Sequence, residues 1–127
     1  MSGTFRDLKS WQKAFELALS IYPATRSFPK DEIYGLSGQL RRAAVSVVSN
    51  IAEGKGRSSD KDLLHFLGNA RGSLFELETQ LDLAERLSYI DRTRASQLRF
   101  EASEAGKLLS GLIRSYEVRP PGVSLSA

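Results

Sequence analysis

The sequence predicts an all-α protein, an antiparallel up-down-up-down four-helix bundle. Apolar residues recur every third or fourth position through most of the chain, and the alternation of β-branched residues that marks a strand is missing. The last two stripes are heptad-like seams joined by one short link, which makes their helices antiparallel neighbours. With 127 residues, 41% hydrophobic and 26% charged, the chain is one domain able to bury a core without metal or disulfide staples. The expected domain is 1–117. Residues 118–127, with Pro120-Pro121 near their start, are expected to form a flexible C-terminal tail.

The first helix is expected over Asp7 to Thr25, with Leu8, Trp11, Phe15, Ala18 and Tyr22 on its inner face. Pro23 lies near its end, and Ser27-Phe28-Pro29-Lys30 is its stop signal. The second helix starts between Asp31 and Ser37 and ends near Gly54, with Leu36, Leu40, Ala43/Ala44, Val47 and Ile51 inward. Ser37 is its candidate cap, and Gly54 and Gly56 are its expected terminators. The third opens on Ser59-Asp60-Lys61-Asp62, a capping-box pattern, and continues through Leu63, Leu67, Ala70, Leu74, Leu77, Leu81 and Ala84. After Ser88-Tyr89-Ile90-Asp91, with Asp91 as candidate cap, the fourth repeats the alternation at Ala95, Leu98, Ala102, Ala105, Leu109, Leu112 and Tyr116.

Composition narrows the chemistry. The absence of cysteine excludes disulfides and thiolate metal sites and suits a reducing compartment. Residues 1–7 show no apolar core followed by a cleavage site, and no run approaches transmembrane length, so a cytoplasmic protein without membrane contact is expected. The single histidine, His65, lies between seam residues Leu63 and Leu67 and is expected on the surface. One histidine cannot complete the ligand set of a di-iron bundle, and Gly54-Lys55-Gly56-Arg57 lacks the spacing of a phosphate-cradling loop. No cofactor, metal or enzymatic activity is expected.

Net charge is +3, unevenly spread. Residues 1–61 carry ten Lys/Arg against six Asp/Glu, and 62–127 carry eight against nine, so the first half is the expected anion-facing part. Arg41, Arg42, Lys55, Arg57, Lys61 and Arg71, expected around the turn between the second and third helices and on the adjoining surface, are the candidate nucleic-acid contacts. No aromatics interleave with the Lys55–Arg57 loop, so base stacking there is not expected.

A second polar row on the second helix comprises Gln39, Arg42, Ser46, Ser49/Asn50 and Glu53. Small hydroxyls and amides on a helix face suit a buried polar network, a solvated face or a contact surface for another subunit or a nucleic-acid backbone. Glu53 would repel phosphate and favours a protein–protein or intramolecular role for this row. Val45 and Val48 lie off the main stripe of the second helix, as do Leu64, Gly68 and Phe75 on the third. Such extra apolar flanks mark an interface between subunits or a wide stripe within one bundle. Gly68 and Gly72, each costing about 1 kcal/mol against Ala, suit close backbone approach.

Three segments carry a resemblance. They are Phe5-x-Asp7-Leu8-x-x-Trp11-Gln12-x-Ala14, Phe28-Pro29-x-x-Glu32-x-Tyr34-Gly35-Leu36-x-x-Gln39-x-Arg41-Arg42-Ala43 and Ser46-x-x-Ser49-Asn50-Ile51-Ala52-Glu53-Gly54. Arg71-Gly72-Ser73-Leu74-x-Glu76-Leu77-Glu78 continues them. Together, over about residues 5–90, they resemble the bacterial four-helix-bundle family that includes proteins encoded in intervening sequences of 23S ribosomal RNA genes. The resemblance implies a homopentamer with a basic surface. Distant relatives include the accessory protein of diversity-generating retroelements, a pentameric barrel that binds nucleic acid and a reverse transcriptase. The leading expectation is therefore a non-enzymatic oligomer that binds structured RNA or other nucleic acid. The alternative is a ring-forming scaffold that recruits a protein partner without nucleic acid.

Overall fold

The computed structural model describes residues 3–117, in which four long helices follow one another without a strand. They are α1 (Lys9–Thr25), α2 (Leu36–Lys55), α3 (Asp60–Arg86) and α4 (Arg92–Glu117). Short 3-10 turns at Phe5–Asp7 and Lys30–Glu32 precede α1 and α2. Each helix packs on its neighbours in chain order and α1 closes on α4, with the α2–α3 seam the most extensive. The α2–α3 turn therefore shares one end of the bundle with the start of α1 and the end of α4. The α1–α2 and α3–α4 links share the other. The expected tail at 118–127 lies outside the described residues.

The buried rows of α2, α3 and α4 are the expected ones, except that Leu36 at the start of α2 is only half-buried. Leu40, Val47 and Ile51 from α2, Leu67, Leu74, Leu77 and Leu81 from α3, and Leu98 and Leu109 from α4 are at most 2% exposed. Fully burying such a side chain contributes about 1.5–3 kcal/mol. Leu112 and Tyr116, at the end of the α4 row, are only half-buried, and Ile113 takes the inward position.

In α1 the inner face differs from expectation. Ser10, Ala14, Leu17, Ile21 and Thr25 are buried, while Phe15 and Tyr22 are exposed and Leu8, Trp11 and Ala18 are half-buried. The two rows are offset by about one residue and both have helical period, so periodicity alone cannot choose between them. Packing chooses the slimmer row. Leu8, Trp11 and Ala18 of the other row pack against the edge of the core, and Trp11 lies 5.3 Å from the Phe5 ring and 4.9 Å, stacked, from Phe15.

Helix ends follow local chemistry, with two corrections. The Ser59 side chain accepts from the Asp62 amide, without the return bond of a full capping box, and Asp91 Oδ1 accepts from the Arg94 amide at 2.8 Å, as expected. Ser37, however, is buried inside the first turn of α2 and caps nothing there. Glu32 instead reaches forward from the preceding turn, its Oε1 accepting from the Leu36 amide at 2.9 Å. Gly54 is not a terminator either. It is buried within α2, where a Cβ would lie 3.1 Å from Phe66 Cβ and 3.2 Å from the Leu63 carbonyl oxygen. Its missing side chain lets α2 and α3 approach closely near their turn.

Candidate nucleic-acid interface

The six expected nucleic-acid contacts do not form one cluster. Lys55, Arg57 and Lys61 lie at the α2–α3 turn. Arg41 lies fourteen residues back along α2, about 21 Å at 1.5 Å per residue, beside the end of α1. There its Nε donates to Thr25 Oγ1 at 2.8 Å and its guanidinium sits 5.1 Å from the Tyr22 ring centre. Thr25 Oγ1 in turn donates to the Ile21 carbonyl at 3.0 Å. Arg41 therefore stitches α1 to α2. Arg42, one residue on, is exposed on the outer side of α2.

The turn itself is electrically balanced. Lys55, Arg57 and Lys61 are accompanied along the chain by as many acids, Glu53, Asp60 and Asp62. Arg57 Nη2 is 2.6 Å from Glu53 Oε2, and its guanidinium lies 4.4 Å from the Phe66 ring centre. The half-buried Lys55 lies beside Leu8, Ile51, Leu63 and Tyr116, a stem packed on apolar side chains.

Arg71 belongs to a different surface. It lines a groove of about 360 Å³ between α3 and α4 with Leu74, Phe75 and Glu78 from α3 and Ser103, Gly106, Lys107, Ser110 and Arg114 from α4. Gly106 sets the depth, since a Cβ there would lie 3.2 Å from Leu74 Cδ2. Burial raises the Glu78 carboxyl above its ordinary range, with nearby Asp82 adding to the effect. Farther along the same seam Arg99 donates to Asp82 at 2.9 Å and to Glu85, and these hydrogen bonds raise the guanidinium's pKa further. Sequence reasoning misses Lys107 and Arg114 because residues 62–127 are acidic on average. The signal that could have found them is the run Ser103, Lys107, Ser110, Arg114, which keeps to three- and four-residue steps beside the core row.

The expected subunit contacts also divide. Ser46 Oγ lies 2.8 Å from Ser73 Oγ, and Asn50 Nδ2 donates to the Ser46 carbonyl at 2.9 Å and to its hydroxyl at 3.0 Å. Gln80 Nε2 donates to Gln39 Oε1 at 3.3 Å. This part of the polar row is a ladder within the α2–α3 seam. Val48 and Leu64 are half-buried against the core. Val45, Ser49, Glu53, Gly68 and Phe75 face outward. A Cβ on Gly68 or Gly72 would meet nothing within 4 Å among the described residues, so none of those residues approaches them closely.

Next to the ladder, a groove of about 620 Å³ between α2 and α3 is lined by Leu36, Gln39, Gly72, Phe75, Gln80 and Leu83 among others. Phe75 is 59% exposed and Leu83 50%, whereas Gln80 is buried and its Oε1 has no hydrogen-bond partner. His65 is exposed on α3, its Nε2 3.5 Å from Asn69 Nδ2. Among the described residues no three of His, Asp and Glu come together as a metal site, and no helix is long and apolar enough to cross a membrane.

These features define a class, an all-α four-helix bundle with open grooves between its helices. Within that class the chain belongs to the 23S rRNA-intervening sequence protein family, whose model matches residues 6–111. It is also similar to the crystal structure of a protein of unknown function from the S23 ribosomal protein family of Bacteroides thetaiotaomicron. The two are 26% identical with a TM-score of 0.77, over 83% of this chain and 95% of that one. Among proteins of curated function none matches.

Proposed function

We propose that this protein is a non-enzymatic homo-oligomer of the cytoplasm that binds RNA, or nucleic acid more generally, through cationic surface residues. The observation that carries this reading is cationic surface left without counter-charge. Arg42, Arg71 and Arg114 make no ion pair among the described residues. Their natural counter-charge is phosphate, bound with release of condensed cations and therefore strongly salt-dependent. Each patch is weak alone, and several copies in one assembly, a pentamer by family resemblance, would multiply the effect. The test is binding of a structured RNA across a salt series. A linear fall of log affinity with log salt is expected, and no binding at low salt overturns the reading. Robust nuclease turnover with Mg²⁺ would overturn its non-enzymatic part.

The α2–α3 groove favours self-association in particular. Leu83, half exposed, and the half-buried Leu36 give this groove apolar surface that suits a subunit contact. Native mass measurement tests this, and a monomer at all concentrations overturns it. A ring that instead recruits a protein partner is the second reading. It gains if a defined partner stays bound after nuclease treatment while purified protein ignores RNA.

A further inference from the structure

We infer that the α3–α4 groove seats an unpaired nucleic-acid strand, with Arg71, Lys107 and Arg114 on its phosphates and Phe75 under one of its bases. The inference rests on the nucleic-acid-binding reading and moves the contact from the α2–α3 turn to the other side of α3.

Charge favours the groove. The turn carries as many acids as cations, three of each, and Arg57 is held by Glu53. The groove's lining carries three cations and one carboxylate, Glu78. Arg71 and Arg114 have no ion pair among the described residues, and Lys107 only approaches the exposed side of Glu104 at 3.8 Å, a contact of little strength in water. Register separates the cations from the acids. Gly106 faces Leu74 and Arg99 faces Asp82, so in these antiparallel helices Arg71 lies toward Ser110 and Arg114, while Glu78 lies toward Ser103 and the Arg99 cluster. Lys107 and Arg114 are seven residues apart, about 10 Å along α4, which gives a strand two successive anchors. Ser103 and Ser110 stand between and beside them as hydroxyl donors.

Shape and aromatic content favour a single strand. Phe75 lines this groove and is more than half exposed, which offers a π-face beside the cations. Single-strand sites combine such a platform with a backbone-tracking cationic groove. In a duplex the base faces are already stacked on one another, so Phe75 would have nothing to receive.

The test uses fluorescence anisotropy with labelled oligouridylate, oligodeoxythymidylate and an RNA duplex of equal length, over a salt series. Wild type should prefer the unpaired strands. R71Q/K107Q/R114Q should weaken binding at least tenfold and flatten the salt slope by about 2, at about 0.7 for each single-strand phosphate no longer neutralised. The single variant Arg114→Gln, at an exposed helix position, should flatten it by about 0.7 and keeps the test valid should the triple variant misfold. Phe75→Leu, which keeps apolar bulk, should cost roughly tenfold with the slope unchanged. K55Q/R57Q/K61Q should bind as wild type. Duplex preference, or unchanged binding by the groove variants with weakened binding by the turn variant, overturns the groove assignment and leaves the broader reading standing. If wild type binds none of the three probes at low salt, both fall. If Phe75→Leu loses binding only together with its assembled mass, the stacking role is overturned.

Discussion

Tyr89 donates a 2.8 Å hydrogen bond to Glu32, joining the link between α3 and α4 to the link between α1 and α2. The Tyr89 ring also lies 5.4 Å from Phe28, so both links close over one end of the core. Glu32 is the hinge of this arrangement, because its other carboxylate oxygen holds the first amide of α2.

The Leu36 amide chiefly, and Tyr89 next, hold the Glu32 carboxyl below its ordinary value of 4.5. A carboxylate with a depressed native pKa contributes stability that is fully present above the unfolded value and lost as pH falls through the native one. Glu32→Gln should therefore melt at a lower temperature than wild type near neutrality. The gap should close on acidification below 4.5. Thermal melts across that range check it, and a gap that does not depend on pH contradicts it.

Glu78 should behave in the opposite sense. Burial raises its pKa, so the folded state disfavours its charge above the native pKa and is relieved of that cost once the carboxyl is protonated. Glu78→Gln should raise the melting temperature near neutrality and lose that advantage in acid. The same melts, run beside the Glu32 variant, give curves of opposite sign.

Two glycines within helices should respond in opposite directions. Gly68→Ala places its methyl in open space and should stabilise the chain by about 1 kcal/mol through helix propensity. Gly54→Ala drives a methyl against Phe66 and Leu63, where overpacking of about 1–3 kcal/mol outweighs that gain. Urea midpoints of the two variants should fall on opposite sides of wild type.

Ser46 and Ser73 should be coupled. Removing either hydroxyl breaks the hydrogen bond between α2 and α3, and removing Ser46 also deprives Asn50 of one acceptor. Each alanine variant should cost about 1 kcal/mol. The double variant should cost less than the sum, with about 0.5–1 kcal/mol of coupling in a double-mutant cycle.

Much of this protein is legible in its residues alone. The four helices, the Ser59 and Asp91 caps and the buried rows of α2, α3 and α4 follow from short-range chemistry. A cap bonds within three residues, and an amphipathic row repeats within one turn. The family motifs, carried by residues 5–90, are equally visible.

Choices between locally equal alternatives needed the packed bundle. Both rows of α1 have the right period, and packing buries Ala14, Leu17 and Ile21 while leaving Phe15 and Tyr22 out. Gly54 looks like a helix stop and is a helix contact. Arg41 and Arg57 look like free cations, yet Thr25 and Glu53 hold them. Arg71 meets Lys107 and Arg114 across some forty residues of chain because α3 and α4 pack in one particular register. Helical segments, and the apolar rows of α2, α3 and α4, depend on neighbours one turn away and so are written in the order of the residues. Which charges stay free, and which groove collects them, depends on how separate helices align, and that is settled when the four pack together.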